Sequence, residues 1–458
     1  MTRQEPNEPI VKITTQIPLW RQLQSTANVL QAVRSGESGT SAIKHVEPSL
    51  RPGVQALSFH VWRWLGTAEI IKSYLAKRPP PPQADALLCV ALAILCGDSE
   101  SLHYEAFTLV DQAVEAAKRS LNTHASSSFI NACLRRFLRE KDVLTQKALT
   151  HPVGQWNHPQ WWIKRLKIDH PNAWQDILRS NNMHAPLSLR VNTKKTSIAD
   201  YLIACNAIDN VATSGVSQVG KFGISFNKAI PIHEVLGFAD GTVSVQDAAA
   251  QLAAPLLLTG MNLTPQSRVL DACAAPGGKT AHLLEMADCE VTALDIDATR
   301  CDLIHQTLNR VGLTAKVITA DAAKPDTWFD AQNDELFDAI LLDAPCTASG
   351  IVRRHPDIRW LRRETDVAQL AEIQRHLLAT LWPLVKPGGR LLYCTCSVFK
   401  AEGQDQVALF TSNNKNARLL ASPGHLIPKN SAKKGIVTDN ELTNHDGFFY
   451  ALFEKQTT

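Results

Sequence analysis

Apolar residues recur at helical spacing from Trp20 to about Lys147. Ala27, Leu30 and Val33 share one face, as do Leu57, Val61, Trp64 and Leu65. Pro79 to Pro82 ends one helix, and Ala84 to Cys96 reads as a buried helix broken only by Asp85. Val110 to Arg119 and Ser127 to Arg139 give two further amphipathic helices. The pattern predicts an all-α domain over 15–148, preceded by a loose tail at 1–15. The Pro-, His- and Trp-rich stretch His151 to Pro159 marks a boundary. Beyond it, Pro159-Gln160-Trp161-Trp162 opens a helix, Pro186 to Asn192 alternates like a strand, and Thr196 to Cys205 is helical. Short strand-like pieces lie between Val211 and Val235, so a small α+β module, RRM-like in its element content, is expected over 155–242. A turn at Gly237 to Gly241 leads to the strand Thr242 to Val245, and Gln246 to Gln251 starts the helix that enters a third domain, 243–458. There, strands at 268–271, 290–295, 315–319, 338–342 and 389–394 alternate with helical segments, and Phe448 to Phe453 is a last strand. That alternation predicts a Rossmann-like α/β domain with a parallel sheet covered by helices on both faces.

Composition changes this picture little. Hydrophobic residues are 45% and charged residues 20%, as in ordinary globular chains. No apolar run reaches the roughly 18–20 residues of a membrane span, and the N-terminal MTRQEPNEPIVK lacks an apolar signal core, so a cytoplasmic protein with no membrane partner is expected. The ten cysteines include no C-x-x-C pair. They read as buried or catalytic thiols rather than bridges, and no metal site is expected. Net charge is +3; residues 1–150 hold 17 Lys+Arg against 13 Asp+Glu, the remainder 30 against 31. Basic runs at Arg135 to Arg139 and from Arg353-Arg354-His355 to Arg362-Arg363 are either solvated faces or phosphate contacts.

The chemistry centres on Val269 to Thr280, VLDACAAPGGKT. A strand ends on Asp271, a small-residue turn runs from Ala272 to Gly278, and a helix follows. This order opens nucleotide-binding α/β units. Gly278-Lys279-Thr280 matches the end of a Walker loop, but its first glycine would fall at Cys273, and G-x-G-x-x-G is also absent. A purely structural glycine turn is the alternative at this point. Downstream, Asp295, Asp321 and Asp343 follow or end the next three strands, so four acids with Asp271 come to one sheet edge. One such acid is commonly a helix cap; four in succession call for more. An acid after the second strand suits a ribose diol, and one after the third suits an adenine amino group. Without a pyrophosphate motif, S-adenosylmethionine fits better than a dinucleotide.

Two thiols adjoin that edge: Cys346 in Asp343-Ala344-Pro345-Cys346, and Cys396 in Tyr393-Cys394-Thr395-Cys396-Ser397. DACAAPGGKT, DAPC and TCS together resemble the RNA cytosine-C5 methyltransferases of the Nol1/Nop2/Sun group. The resemblance runs from about residue 20 to 453 and includes Arg353 to Asp357 and Asp446 to Tyr450. SSSFINACLRRFLRE resembles the last helix of NusB-like domains, whose relatives bind RNA. The order of NusB-like domain, LRVN segment, VQDAAAQ and catalytic domain is similar to the bacterial branch acting on small-subunit (16S) ribosomal RNA. The resemblance implies that Cys396 adds to C6 of cytosine, Cys346 releases the product, and Asp343 bonds the cytosine edge. It further implies that S-adenosylmethionine is held by Cys273, Ala274, Ala275, Pro276, Gly277, Gly278 and Lys279 at its methionine end, Asp295 at the ribose and Asp321 at the adenine, with Asp343 nearby. The basic segment 353–363 and the two N-terminal modules would form the RNA surface. Departures exist: Lys400-Ala401-Glu402-Gly403 stands where the family reads Pro-Glu-Glu-Asn, Thr347 stands for a serine, and Ala322 for a glycine. The expectation is therefore a monomeric 5-methylcytosine-forming enzyme acting on small-subunit ribosomal RNA. The same chemistry on transfer RNA, or a non-catalytic RNA-binding assembly factor, stays open.

Overall fold

The computed structural model describes residues 17–97, 104–208, 215–227, 230–428 and 444–457. The expected tail at 1–15 and the segment 211–214 lie outside these. The described residues divide into two compact units, one ending at Asn157 and one starting at His158.

The first unit is helical throughout its described residues, with helices including Leu19–Arg34, Arg51–Leu75, Pro82–Cys96, Ala106–Arg119, Ser127–Arg139 and Lys141–Leu149. Pro82–Cys96 is its centre: every residue from Ala84 to Leu95 is buried, against the neighbouring helices. Asp85 survives in this apolar run because Lys72 and Arg34 meet its carboxylate at 2.7 and 2.9 Å. On Ser127–Arg139, Ile130, Cys133, Leu134 and Phe137 are buried as their spacing predicts.

In the second unit, β1 (Leu187–Val191), β2 (Val216–Val219), β3 (Gly223–Phe226) and β4 (Val243–Val245) form an antiparallel sheet of order β2-β3-β1-β4. The sheet thus extends past residue 242. Leu189, Val191, Ile224, Phe226 and Val243 pack on Tyr201 and Cys205 of the helix Ile198–Asn206. Its other face is covered too. Arg190, fully buried, crosses to Glu285 (Nη2–Oε1 2.7 Å), and Phe222 meets the His282 ring edge-on at 5.1 Å. Arg190 and Phe222 thus tie this sheet to the helix Gly278–Met286 of the catalytic part.

The large sheet has the order β10-β11-β9-β8-β5-β6-β7, with β5 Arg268–Ala272, β6 Glu290–Asp295, β7 Lys316–Thr319, β8 Phe337–Asp343, β9 Val385–Thr395, β10 Ala417–Leu426 and β11 Phe448–Lys455. The five strands from β7 to β9 are parallel, but β11 runs antiparallel to β9 and β10 to β11, so the sheet is mixed rather than purely parallel. β10 carries no strand signal because it is an edge: only Leu426 is buried, and it holds Pro423, Gly424 and a register shift. Helices Gly278–Met286 and Ala298–Val311 pack on one face, Glu364–Leu381 and Gln404–Asn413 on the other.

Candidate active site

A cavity of about 320 Å³ opens at the carboxyl ends of the parallel strands, where such sheets bind ligands. Its wall is built strand by strand. After β5 come Cys273 and Ala275; after β6, Asp295, Ile296 and Arg300; after β7, Ala320, Asp321, Ala322 and Ala323. The loop after β8 brings Asp343 to Cys346, the loop after β9 brings Cys396, and Ile373 and Leu377 close the side.

The turn after β5 is held by its neighbours. Ala274 N–H donates to Leu294 O at 2.7 Å, and Ala275 N–H to Asp295 Oδ2 at 3.2 Å. Cys273 stands at φ +68°, unusual for a residue with a side chain, and burial beside Asp343 and Asp295 pushes its thiol up to about 12. Gly277, at φ +92°, has Ile304 Cα 3.1 Å from where a Cβ would stand, so the turn needs glycine there. The turn and the sheet thus leave only part of the expected cofactor set on the cavity wall: Cys273, Ala275, Asp295, Asp321 and Asp343 line it. Ala274, Pro276, Gly277 and Gly278 shape the turn behind it. Lys279 turns away to Asp343 (Nζ–Oδ2 2.6 Å). Burial opposes its charge, but Asp343 wins and raises the ammonium above its ordinary range.

Asp271 is the one strand-end acid that the cavity does not use. It is fully buried; Thr280 Oγ1 donates to Oδ2 at 2.6 Å, while Oδ1 has no hydrogen-bond partner among the described residues. Burial pushes its carboxyl up to about 7.

The two thiols meet because β8 and β9 are parallel neighbours, with Asp343 in register with Cys394. Their loops continue side by side: Ala344 N–H donates to Cys394 O at 3.0 Å and Gly350 N–H to Cys396 O at 2.9 Å. Cys346 Sγ and Cys396 Sγ are 3.4 Å apart, unbridged. The hydrogen bond to Cys396, then burial, raise Cys346 well above the ordinary thiol range. Cys394, which sequence reasoning passed over, points its thiol at Asp343 Oδ1 (3.5 Å).

Arg353 and Arg354 stand elsewhere than expected. Arg353 is buried and Arg354 partly so, in an ion cluster with Asp446 and Asp247: Arg353 Nε to Asp446 Oδ1 2.5 Å, Arg354 Nε to Asp446 Oδ2 2.5 Å, and Arg354 Nη2 to Asp247 Oδ2 2.9 Å. Arg359 is fully buried on Asn181 O and Asn182 Oδ1. Arg362 donates to Thr347 O and Cys346 O at 3.2 and 3.3 Å, holding the loop from outside. A run of like charges along the chain gives no sign of acids some ninety residues away.

Among the described residues no cluster of three or more His, Cys, Asp or Glu could hold a metal ion, and no helix is long and apolar enough to cross a membrane.

Residues 258–454 match the model of the 16S rRNA methyltransferase RsmB/F family, and residues 158–233 that of the RsmF/B-like ferredoxin-like domain. The chain is 37% identical to the ribosomal RNA small subunit methyltransferase B of Vibrio cholerae over 431 residues, covering 93% of this chain and 95% of that protein. The enzyme of the same name from Pasteurella multocida is 36% identical, with coverage of 93% and 94%. Among solved structures, PH0851 superposes with a TM-score of 0.70 at 26% identity, covering 94% of this chain and 99% of that one. NSun6 from Pyrococcus horikoshii, solved with SFG, shares the fold at a TM-score of 0.54 and 18% identity, covering 66% and 99%.

Proposed function

The chain belongs to the RsmB/F family of 16S rRNA methyltransferases, and from that premise we propose that it forms 5-methylcytosine in small-subunit ribosomal RNA, using S-adenosylmethionine, through a covalent adduct between Cys396 and C6 of the base. The observation that carries this reading is the pair of unbridged thiols, 3.4 Å apart, lining a cavity that Asp295, Asp321 and Asp343 also line.

The cavity residues fit an adenosine-containing methyl donor. Asp295 and Asp321 supply carboxylates at the ends of the second and third parallel strands, and Ile296, Ala322 and Leu377 supply an apolar slot for a flat ring. Bound there, S-adenosylmethionine supplies an electrophilic methyl group. The turn from Cys273 to Gly278, through Cys273 and Ala275 on the wall, would hold its methionine end; Lys279 contributes through Asp343 rather than by lining the cavity.

Cys346 and Cys396 lie within hydrogen-bond reach of each other, and that contact together with burial holds Cys346 in its thiol form. The Cys396 sulfur forms a bond to C6 as its own proton leaves, pushing electrons toward C5 and N3, where Asp343 orients the base edge. Once C5 carries the methyl group that bound S-adenosylmethionine would supply, Cys346, its own proton released to solvent, is placed to take the C5 proton, and the C5–H electron pair restores the C5=C6 bond. The C6–S bond breaks and its electron pair returns to Cys396. The target cytosine must leave its stack to reach this cavity. The N-terminal helical region is the NusB-like RNA-binding part of this reading.

Bisulfite mapping of RNA from a strain lacking the protein tests the substrate. One cytosine of small-subunit ribosomal RNA should lose its mark and regain it with the wild-type chain. A lost mark in transfer RNA, with ribosomal RNA unchanged, would reassign the substrate; no lost mark would favour an assembly factor.

A further inference from the structure

We propose that Glu402 is the positioning residue that sets the spacing of the two active thiols; this rests on the methyltransferase reading above. Glu402 lies on the turn Lys400–Glu402, after β9, and is completely buried. A buried carboxylate without partners is costly; this one is met on every side. Thr347 N–H and Oγ1 donate to it at 2.8 and 2.5 Å, Ser397 Oγ at 2.6 Å, and Gln374 Nε2 at 3.3 Å. Burial raises its carboxyl above the ordinary range, and the Ser397 and Thr347 hydrogen bonds pull it back.

The identity of these donors is what matters. Thr347 follows Cys346 directly, and Ser397 follows Cys396 directly. One carboxylate therefore grips the residue after each thiol. Its backbone carbonyl is fixed in turn by Tyr393 Oη (2.8 Å) and Thr395 Oγ1 (3.1 Å), both on β9. Gln374 also holds Pro345 O at 2.9 Å, so the clamp reaches both sides of Cys346. Glu402 touches neither sulfur. It acts by fixing two loops whose thiols must address opposite ends of one C5–C6 bond.

The test uses the full chain with Glu402→Gln and Glu402→Ala, and two readouts. The first needs no RNA. Diamide takes up the two electrons and two protons released when Cys346 and Cys396 join as a disulfide, and peptide mapping measures the rate. Glu402→Gln keeps an acceptor for Thr347 N–H but cannot accept from both hydroxyls in the same way, and should close the disulfide at least about tenfold more slowly, as expected for reacting atoms displaced by an ångström. The second readout is the trapped protein–RNA adduct. The Gln variant should accumulate adduct and lose about 10- to 100-fold in turnover, with S-adenosylmethionine affinity unchanged within about twofold because Glu402 does not line the cavity. Closure at the wild-type rate overturns the proposal. Slow closure with wild-type methylation overturns it too, since the spacing would then be irrelevant to the reaction. If the wild-type chain methylates no RNA, the functional reading falls, while the closure rates still decide whether Glu402 sets the spacing. Should Glu402→Ala fail to fold, the Gln variant decides alone.

Discussion

Lys279 Nζ lies 2.6 Å from Asp343 Oδ2, joining the helix after the glycine turn to the end of the fourth parallel strand. The one cation of the turn is thereby committed to the acid expected to face the base. Lys279→Met leaves Asp343 at the cavity without its counter-ion. Turnover should fall by about 10²-fold or more, whereas affinity for S-adenosylmethionine should change by no more than about threefold, because Lys279 is absent from the cavity wall. Calorimetric titration beside single-turnover methylation separates the two. A matching loss of affinity would return Lys279 to the cofactor.

The thiols make a directional prediction. Cys396→Ala should form no adduct with small-subunit ribosomal RNA, and Cys346→Ala should accumulate one that resists denaturing electrophoresis. The opposite pattern would exchange the two roles.

The Arg353–Arg354 pair is expected to matter for stability rather than for RNA. Removing one member of a buried ion pair costs about 3–5 kcal/mol, so Arg353→Ala should lower the denaturation midpoint markedly. Where the variant remains folded, the salt dependence of RNA binding should match wild type, since no phosphate contact has been removed. A shallower salt slope with unchanged stability would restore the RNA-facing assignment.

Asp271 ties stability to pH. Its folded carboxyl titrates near 7, above the ordinary aspartate value of 3.8 in an unfolded chain. The folded state therefore binds the extra proton between about pH 4 and 7, and the contribution from Asp271 is full below that window and lost as pH rises through it. At pH 8 burial of the charge costs on the order of 2–4 kcal/mol. Asp271→Asn should remove this cost, so urea unfolding at pH 5 and 8 should show a smaller decline for the variant than for wild type. Equal declines would mean that Asp271 stays ionised throughout.

Much of the fold is legible in one dimension because its signals are local. Ala84–Leu95 is apolar all round except for Asp85 and becomes the buried helix of the first unit. The strands ending at Asp295 and Asp343 fall within a residue of their expected positions, since a buried parallel strand reads as a short apolar run. β10 was hidden for the opposite reason: an edge strand with a single buried residue has no apolar run or alternation to show. Gln246 to Gln251 does not form the expected α-helix from its start; the chain passes through turns and a 3-10 segment, Ala250–Leu252, before the helix Ala253–Leu258. Glu402 left a weak trace, as the acid remaining in register with the family's Pro-Glu-Glu-Asn, but its partners at 347, 374 and 397 could not be inferred from it.

By itself, the sequence determined the order of elements, the glycine turn, the strand-end acids and the two thiols, because periodicity and strand-end placement depend only on neighbours along the chain. The tertiary structure decided which charges are exposed and which are cancelled. Lys279 and Arg353 look equally available in the sequence, yet each is paired with an acid more than sixty residues away. It also decided which of four equivalent acids reaches the cavity: Asp295, Asp321 and Asp343 do, while Asp271 is sealed against Thr280. Pairing and burial depend on which distant segments pack together, and no spacing along the chain encodes that directly.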